Sequence, residues 1–464
     1  MQVIRRHIAG LCAAFCLSAT VGLLSTVFAP SAQAIPSFAR KYNVNCTTCH
    51  TAPPVLNTYG QRFLENGYQL PGTEDGGIVG KRKLGDLTLD DVTNYVGFRL
   101  VGNAVRRWSF KRQNPAGLDA GVAENKTEFT FPEAFTMFTA GALTNNVGFM
   151  VELGHDVEGG ETAVERGFVT FNNLLYQDFA HIRVGRFDPS AWYSYATVRQ
   201  QLGDVGEHLS SSGCGSGTFT PCTINRVGLT PSAFAAKFYG LYQRDGSYIS
   251  PFASTLFNSG GETGGDVHGR PFGDFFFYQF GVLNGANEGF GDSNKGKDVY
   301  GMVRFDYAKS NYFAANVSGF AYMGNSNAKV QSQQDVNWNR FGVSARVTYK
   351  MVDIYAAYAV DRINKLPTGV QGNFDATATG LTVGTDVYVT DRTMMSARYD
   401  NLDAGGMLDQ RKSSTFIGLQ VKHFLRTNIA IFARNDFNVR KPEDGDTAAR
   451  NLRNAFFSGI DVIF

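Results

Sequence analysis

Cysteine is scarce in this chain of 464 residues, which has 6. No other Cys or His stands between His50 and His155, and residues 51–136 hold neither His nor Met. Charge of one sign is lacking too. Lys and Arg number 43 against 41 Asp and Glu, so the excess of positive charge that draws a protein to nucleic acid is absent. Apart from one N-terminal stretch, long apolar runs are missing. With a mean hydropathy of −0.18, that excludes a bundle of membrane helices. No Ser/His/Asp arrangement, phosphate-cradling loop or hydrolytic carboxylate pair has positional support. What is abundant is glycine, at 52 residues, and aromatic side chains, at 13%.

The one apolar run, Ile8 to Phe28, follows Arg5 and Arg6 and precedes Ala32-Gln33-Ala34. A basic start, an apolar middle and a small-residue cleavage site make a secretory signal over residues 1–34. A retained membrane anchor is the alternative, disfavoured by the cleavage motif. Cys12 and Cys16 leave with the leader. The mature chain is then expected to begin at Ile35, outside the cytoplasm, with charge near zero.

Cys46-Thr47-Thr48-Cys49-His50 is C-x-x-C-H, the attachment pattern of a c-type haem. Two thiols would bond the porphyrin rim, and the adjoining His50 would reach the iron as proximal ligand. Zinc would need two further ligands, which the neighbouring sequence lacks. A redox dithiol is the other alternative. Leu56 to Gly67 has helical spacing, with Asn66-Gly67 as its cap. Tyr59, Phe63 and Tyr68 are expected to pack on the porphyrin. Residues 35–90 are read as a small α-helical monohaem cytochrome c domain.

Phe38-Ala39-Arg40, the Cys46–His50 motif and Pro54-x-Leu56-Asn57-x-x-Gly60-x-x-Phe63-x-x-x-Gly67-Tyr68 together resemble the N-terminal signature of the fused outer-membrane monohaem cytochrome–porins. The iron-oxidising outer-membrane c-type cytochromes belong to that group. The resemblance covers about 35 residues. It implies one covalent haem c on a barrel and transfer of electrons between an extracellular donor and the periplasm.

From residue 91 to 464 the period changes to two. Val303, Phe305 and Tyr307 alternate with Met302, Arg304 and Asp306. Phe341 to Met351 and Ile417 to Val421 alternate in the same way. One face is apolar and the other charged, in strands long enough to cross a bilayer at a tilt. The end, Phe456-x-Ser458-x-Ile460-x-Val462-x-Phe464, is similar to the terminal strand of outer-membrane barrels. The fold class is thus an all-β transmembrane barrel of about sixteen antiparallel strands. Short periplasmic turns are expected at Thr144–Asn146, near Asn173, and at Lys309–Asn311, Lys350–Met351, Thr390–Arg392 and Arg426–Asn428. Tyr248–Phe257, with Pro251, is placed in a long turn from Arg244 to Phe272. The longest outer loop, Asp188–Thr230, holds Cys214 and Cys222, expected to form a disulfide.

A covalent haem carries electrons or, with an open iron position, binds ligands. Alternation puts Met150, Met302 and His181 on the lumen face, so each is a candidate distal ligand. Asp156, Glu158, Glu161 and Glu165, beside His155, are candidates for attracting Fe²⁺. The expected function is oxidation of extracellular Fe(II), or another donor, with delivery of electrons to a periplasmic cytochrome c. This is an Fe(II):cytochrome c oxidoreductase type of activity, in an outer membrane surrounded by lipid. The haem segment would sit at the periplasmic end or inside the lumen. The alternatives are a haem-plugged transport porin, or a conduit that exports electrons to an extracellular acceptor.

Overall fold

The computed structural model describes residues 37–52, 55–71, 82–84 and 87–89. It also describes 91–187 and 262–463 apart from some turn and loop positions, and the short pieces 241–242 and 248–249. The leader and the Cys214–Cys222 pair lie outside the described residues.

Sixteen strands close into one antiparallel barrel. The first, β1 (Val96–Gln113), is flanked by β2, which has two parts, Asp119–Glu128 and Ala134–Thr144. Both parts of β2 run antiparallel to β1, one beside each half of it, so they count as one strand. The break between them contains Pro132, which has no N–H to give a ladder. Then come β3 (Val147–Asp156), β4 (Glu161–Phe171), β5 (His181–Phe187), β6 (Glu262–Gly269) and β7 (Phe276–Leu283). They are followed by β8 (Asp298–Ser310), β9 (Phe313–Asn327), β10 (Asp335–Tyr349) and β11 (Val352–Ile363). The last five are β12 (Ala376–Thr390), β13 (Thr393–Asp403), β14 (Ser413–Arg426), β15 (Ile429–Asn438) and β16 (Leu452–Ile463). Pairing of β16 with β1 seals the ring, so no ladder edge meets lipid.

The period of two in the sequence is realised as inside and outside. Val303 and Phe305 are 37% and 46% exposed on the outer surface, whereas Met302 and Arg304 are 1% and 0% exposed within. Water would not tolerate an outer face so apolar; a bilayer requires it. Near the short turns this face carries adjoining aromatic rings, among them Phe276 with Phe305 and Tyr307 with Phe313, as expected at a membrane interface.

The turns fall where expected, but one strand does not. The segment expected as a long turn, Arg244–Phe272, contains β6, which pairs with β5 on one side and β7 on the other. Three of its eight residues are glycines, Gly264, Gly265 and Gly269, Asp266 is a poor strand former, and Val267 is its sole large apolar side chain. Alternation is therefore invisible in it. Because β5 pairs directly with β6, the outer connection read as ending at Thr230 runs on from 188 to 261. Within it, Leu241–Tyr242 pairs with Tyr248–Ile249.

The N-terminal segment contains three helical pieces: α1 (Ser37–Tyr42), α2 (Cys46–Cys49) and α3 (Thr58–Glu65). They contact inward-facing wall residues near the short turns. Lys41 Nζ donates to Ala142 O on β2 at 3.2 Å, and Arg346 Nη1 on β10 donates to Leu56 O at 2.9 Å. Those two strands are half the ring apart, so the segment spans the lumen.

Candidate functional site: the Cys46–His50 turn and its seat

The Cys46–Cys49 turn is built around Asn57. Its Nδ2 donates to Thr47 O at 3.2 Å and Thr48 O at 2.9 Å, and its N–H donates to Cys49 O at 2.9 Å. Its Oδ1 accepts from Gly60 N at 2.8 Å, capping α3. One side chain thus fixes both the motif and the helix beside it. His50 leaves α2 in extended conformation and pairs across a short hairpin with Leu56. At Gly60 the helix lies directly on the motif: a Cβ there would sit 2.0 Å from Cys49 O. Gly60→Ala is therefore expected to push α3 off the turn, at a cost of about 1–3 kcal/mol. Reduced haem staining per folded barrel is the measurement, and wild-type staining would contradict the packing argument.

Cys46 and Cys49 are unbridged. Burial, reinforced by Cys46, pushes the Cys49 thiol up to about 11, and burial raises Cys46 also. A redox dithiol needs the reverse shift. Among the described residues no three His, Cys, Asp or Glu side chains converge as a metal cage, so Cys46, Cys49 and His50 do not surround one point as zinc ligands would. Two thiols one helical turn apart, followed by an imidazole, fit a flat group bonded at its rim and ligated at its centre.

Phe63 and Tyr68 belong to an aromatic cluster of the segment: Phe38 stacks on Tyr68 at 5.1 Å and meets Phe63 edge-on at 5.1 Å. Tyr42 completes this cluster against Phe63 and donates to Tyr68 O. Tyr59 stays partly exposed near Cys49.

The seat is electrostatic, and the sequence reading had not singled it out. Glu65, at the end of α3, receives Arg304 Nη2 at 2.5 Å on one oxygen and Arg270 Nη2 at 2.8 Å on the other. Burial alone would raise its pKa, but the two guanidiniums overcome that and hold the carboxyl down to about 2. Asp306 accepts from both arginines, at 2.8 and 2.9 Å. His268 bridges Asp266 and Glu65 O. Arg62 reaches Asp274 at 2.7 Å. Arg304 and Asp306 belong to the charged face read from the sequence.

Of the candidate distal ligands, all three do face inward. Met150 Sδ accepts from Tyr68 OH at 2.8 Å. His181 bonds Asn172 and stacks on His268 at 5.2 Å. Met302 is enclosed in the wall, opposite Gln279 and Phe320. Each has its own structural partner. In the outer hairpin of β3 and β4, His155 bonds Thr162 at 2.8 Å; Glu158 and the side chains of Asp156 and Glu161 lie outside the described residues.

From Asn103 on β1 through Arg183, Gln279, Tyr322 and Asp386 to Arg434 on β15, inward side chains of the wall pack against one another and are 3% exposed or less.

No protein-family model and no curated protein matches the chain. Solved porin structures do. The chain is similar to the anion-selective porin from Comamonas acidovorans at 12% identity and a TM-score of 0.52, over 80% of this chain and 99% of that one. It is similar to Salmonella typhi OmpF, solved with daunomycin, at 13% identity and a TM-score of 0.50, over 80% and 97%. The likeness lies in the fold: the chain is a closed sixteen-stranded antiparallel barrel resembling the outer-membrane porins.

Proposed function

We propose that the protein is an outer-membrane electron-transfer barrel of the cytochrome–porin type, which takes electrons from an extracellular donor, Fe(II), and delivers them to a periplasmic cytochrome c. The observation that supports this reading is that the segment bearing Cys46, Cys49 and His50 bonds inward-facing groups of the barrel wall, which would hold a group attached there inside the ring. Haem c, bound through Cys46 and Cys49 with His50 as axial ligand, would supply a one-electron centre. Asn57 and Gly60 hold the attachment turn in shape. Glu65, Arg270 and Arg304 keep that turn at a fixed depth in the barrel, and the barrel keeps it from lipid. Oxidised iron need not enter the cell, because only the electron has to cross.

The porin-like fold speaks more directly for a second reading, a transport porin in which the N-terminal segment closes or gates the pore. The segment, bonded to opposite sides of the ring, would obstruct the channel at rest. A conduit exporting electrons would use the same parts with a lower potential.

The deciding experiment is a spectral titration of the detergent-solubilised protein with Fe(II) under nitrogen. Sharpened α and β bands within seconds are expected. A haem that dithionite reduces and Fe(II) does not, together with large ion conductance in planar bilayers, would favour the transport porin.

A further inference from the structure

The contact between Glu65 and the wall has the form of a ligand in a binding site. Both carboxylate oxygens are engaged by wall arginines: Oε1 by Arg304 Nη2 at 2.5 Å, Oε2 by Arg270 Nε at 2.9 Å and Nη2 at 2.8 Å. Gln61 Nε2 adds a bond to Oε1 at 3.0 Å. The arginines are themselves held in place without Glu65. Asp306 accepts from both, Arg270 Nη1 donates to Asp274 O at 2.9 Å, and both guanidiniums lie over the ring of Phe277. Asp306 is shared between the two guanidiniums, and Glu65 brings a second carboxylate to the same pair. Buried guanidiniums need anionic partners, and their planar donor groups suit a planar oxyanion.

We propose that the wall carries a carboxylate-binding site, made by Arg270 and Arg304, and that the chain's own Glu65 fills it as an intramolecular ligand. The N-terminal segment is then a cork whose hold depends on winning this site from small carboxylates. The inference rests on the luminal seat and deepens the gating reading; it does not depend on haem.

The test is chemical rescue. Glu65→Ala removes the carboxylate and leaves an acetate-sized space. The full-length protein is reconstituted in planar bilayers, in sodium chloride and then in sodium acetate at equal ionic strength. The E65A protein is expected to spend about tenfold more time, or longer, in conducting states than wild type in chloride. Acetate is expected to restore the closed state with saturation, and chloride is not. Wild-type conductance in E65A, or equal effects of acetate and chloride, would overturn the proposal. E65A combined with Arg304→Met is expected to lose the acetate response, and its retention would overturn the assignment to Arg304. If E65A fails to give a barrel of normal heat-modifiable migration, Glu65→Gln replaces it. The amide fills the space, so long conducting states without acetate rescue are expected, and wild-type closure in E65Q would overturn the proposal. Haem staining and Fe(II) reduction of the same samples report separately on the electron-transfer reading.

Discussion

Alanine at both Cys46 and Cys49 is expected to abolish haem that survives denaturation. Thioether bonds are what keep a porphyrin on a chain when its fold is gone; an imidazole ligand lets go when the fold opens. With both thiols removed, His50 alone remains in the motif, and its bond to iron does not outlast detergent and heat. Each single variant keeps one possible thioether and should keep part of the stain. The barrel itself should persist, because neither cysteine belongs to its ladder. Peroxidase staining on denaturing gels reads the loss, and heat-modifiable migration reads the barrel. Full staining of the double variant would contradict covalent attachment at this motif. His50→Ala makes the companion case: the stain stays, while the Soret band of the native protein shifts.

Acidification from pH 4.5 towards 2 is expected to release the N-terminal segment from its seat. Glu65 has its carboxyl lowered from the ordinary 4.5 to about 2, against the upward push of burial, by Arg270 and then Arg304. A carboxyl depressed in the folded state binds protons more readily when released. Its contribution is therefore full above 4.5 and fades as pH falls through the window down to about 2. A depression of this size corresponds to about 3 kcal/mol. Protease accessibility of the segment, followed across this range, should rise, while in Glu65→Gln it should already be high and nearly flat at neutral pH. A segment equally protected at pH 2.5 and 6 would show that the ion pairs do not hold it. Salt should matter little, because Arg304 is fully buried and screening acts poorly there.

The spatial reading gives the two halves of the chain different weights. In the barrel, hydrogen bonds between neighbouring strands and an apolar outer face account for the fold, and outward rings such as Phe280, Phe305 and Tyr349 belong to that face. In the N-terminal segment, a small aromatic core of Phe38, Tyr42, Phe63 and Tyr68 is too little to stand alone. The wall completes it: Tyr68 also stacks on Phe168 of β4 at 6.5 Å, and Gly67 lies so close to β3 that a Cβ at Gly148 would be 2.2 Å from its carbonyl oxygen.

Local physics made much of this legible in advance. The inside–outside alternation of Met302 to Tyr307 is a property of any pleated strand, so lipid and lumen faces followed from residue order. Turns of two or three residues between such strands left no choice of partner, and the inward parity of Met150, His181 and Met302 came with them. The chemistry offered by Cys46, Cys49 and His50 is likewise local, because five consecutive residues carry it. What residue order could not supply was whatever depends on distant chain segments meeting. β6 has one large apolar residue, Val267, and became a strand because β5 and β7 offered it ladders on both sides, across a connection of more than seventy residues from 188 to 261. Glu65 sits 205 positions from Arg270 and 239 from Arg304. An acid on a short helix acquires a role only when a closed barrel brings two buried guanidiniums to it, and that meeting, which sets the depth of the Cys46–His50 turn in the membrane, belongs to the tertiary structure alone.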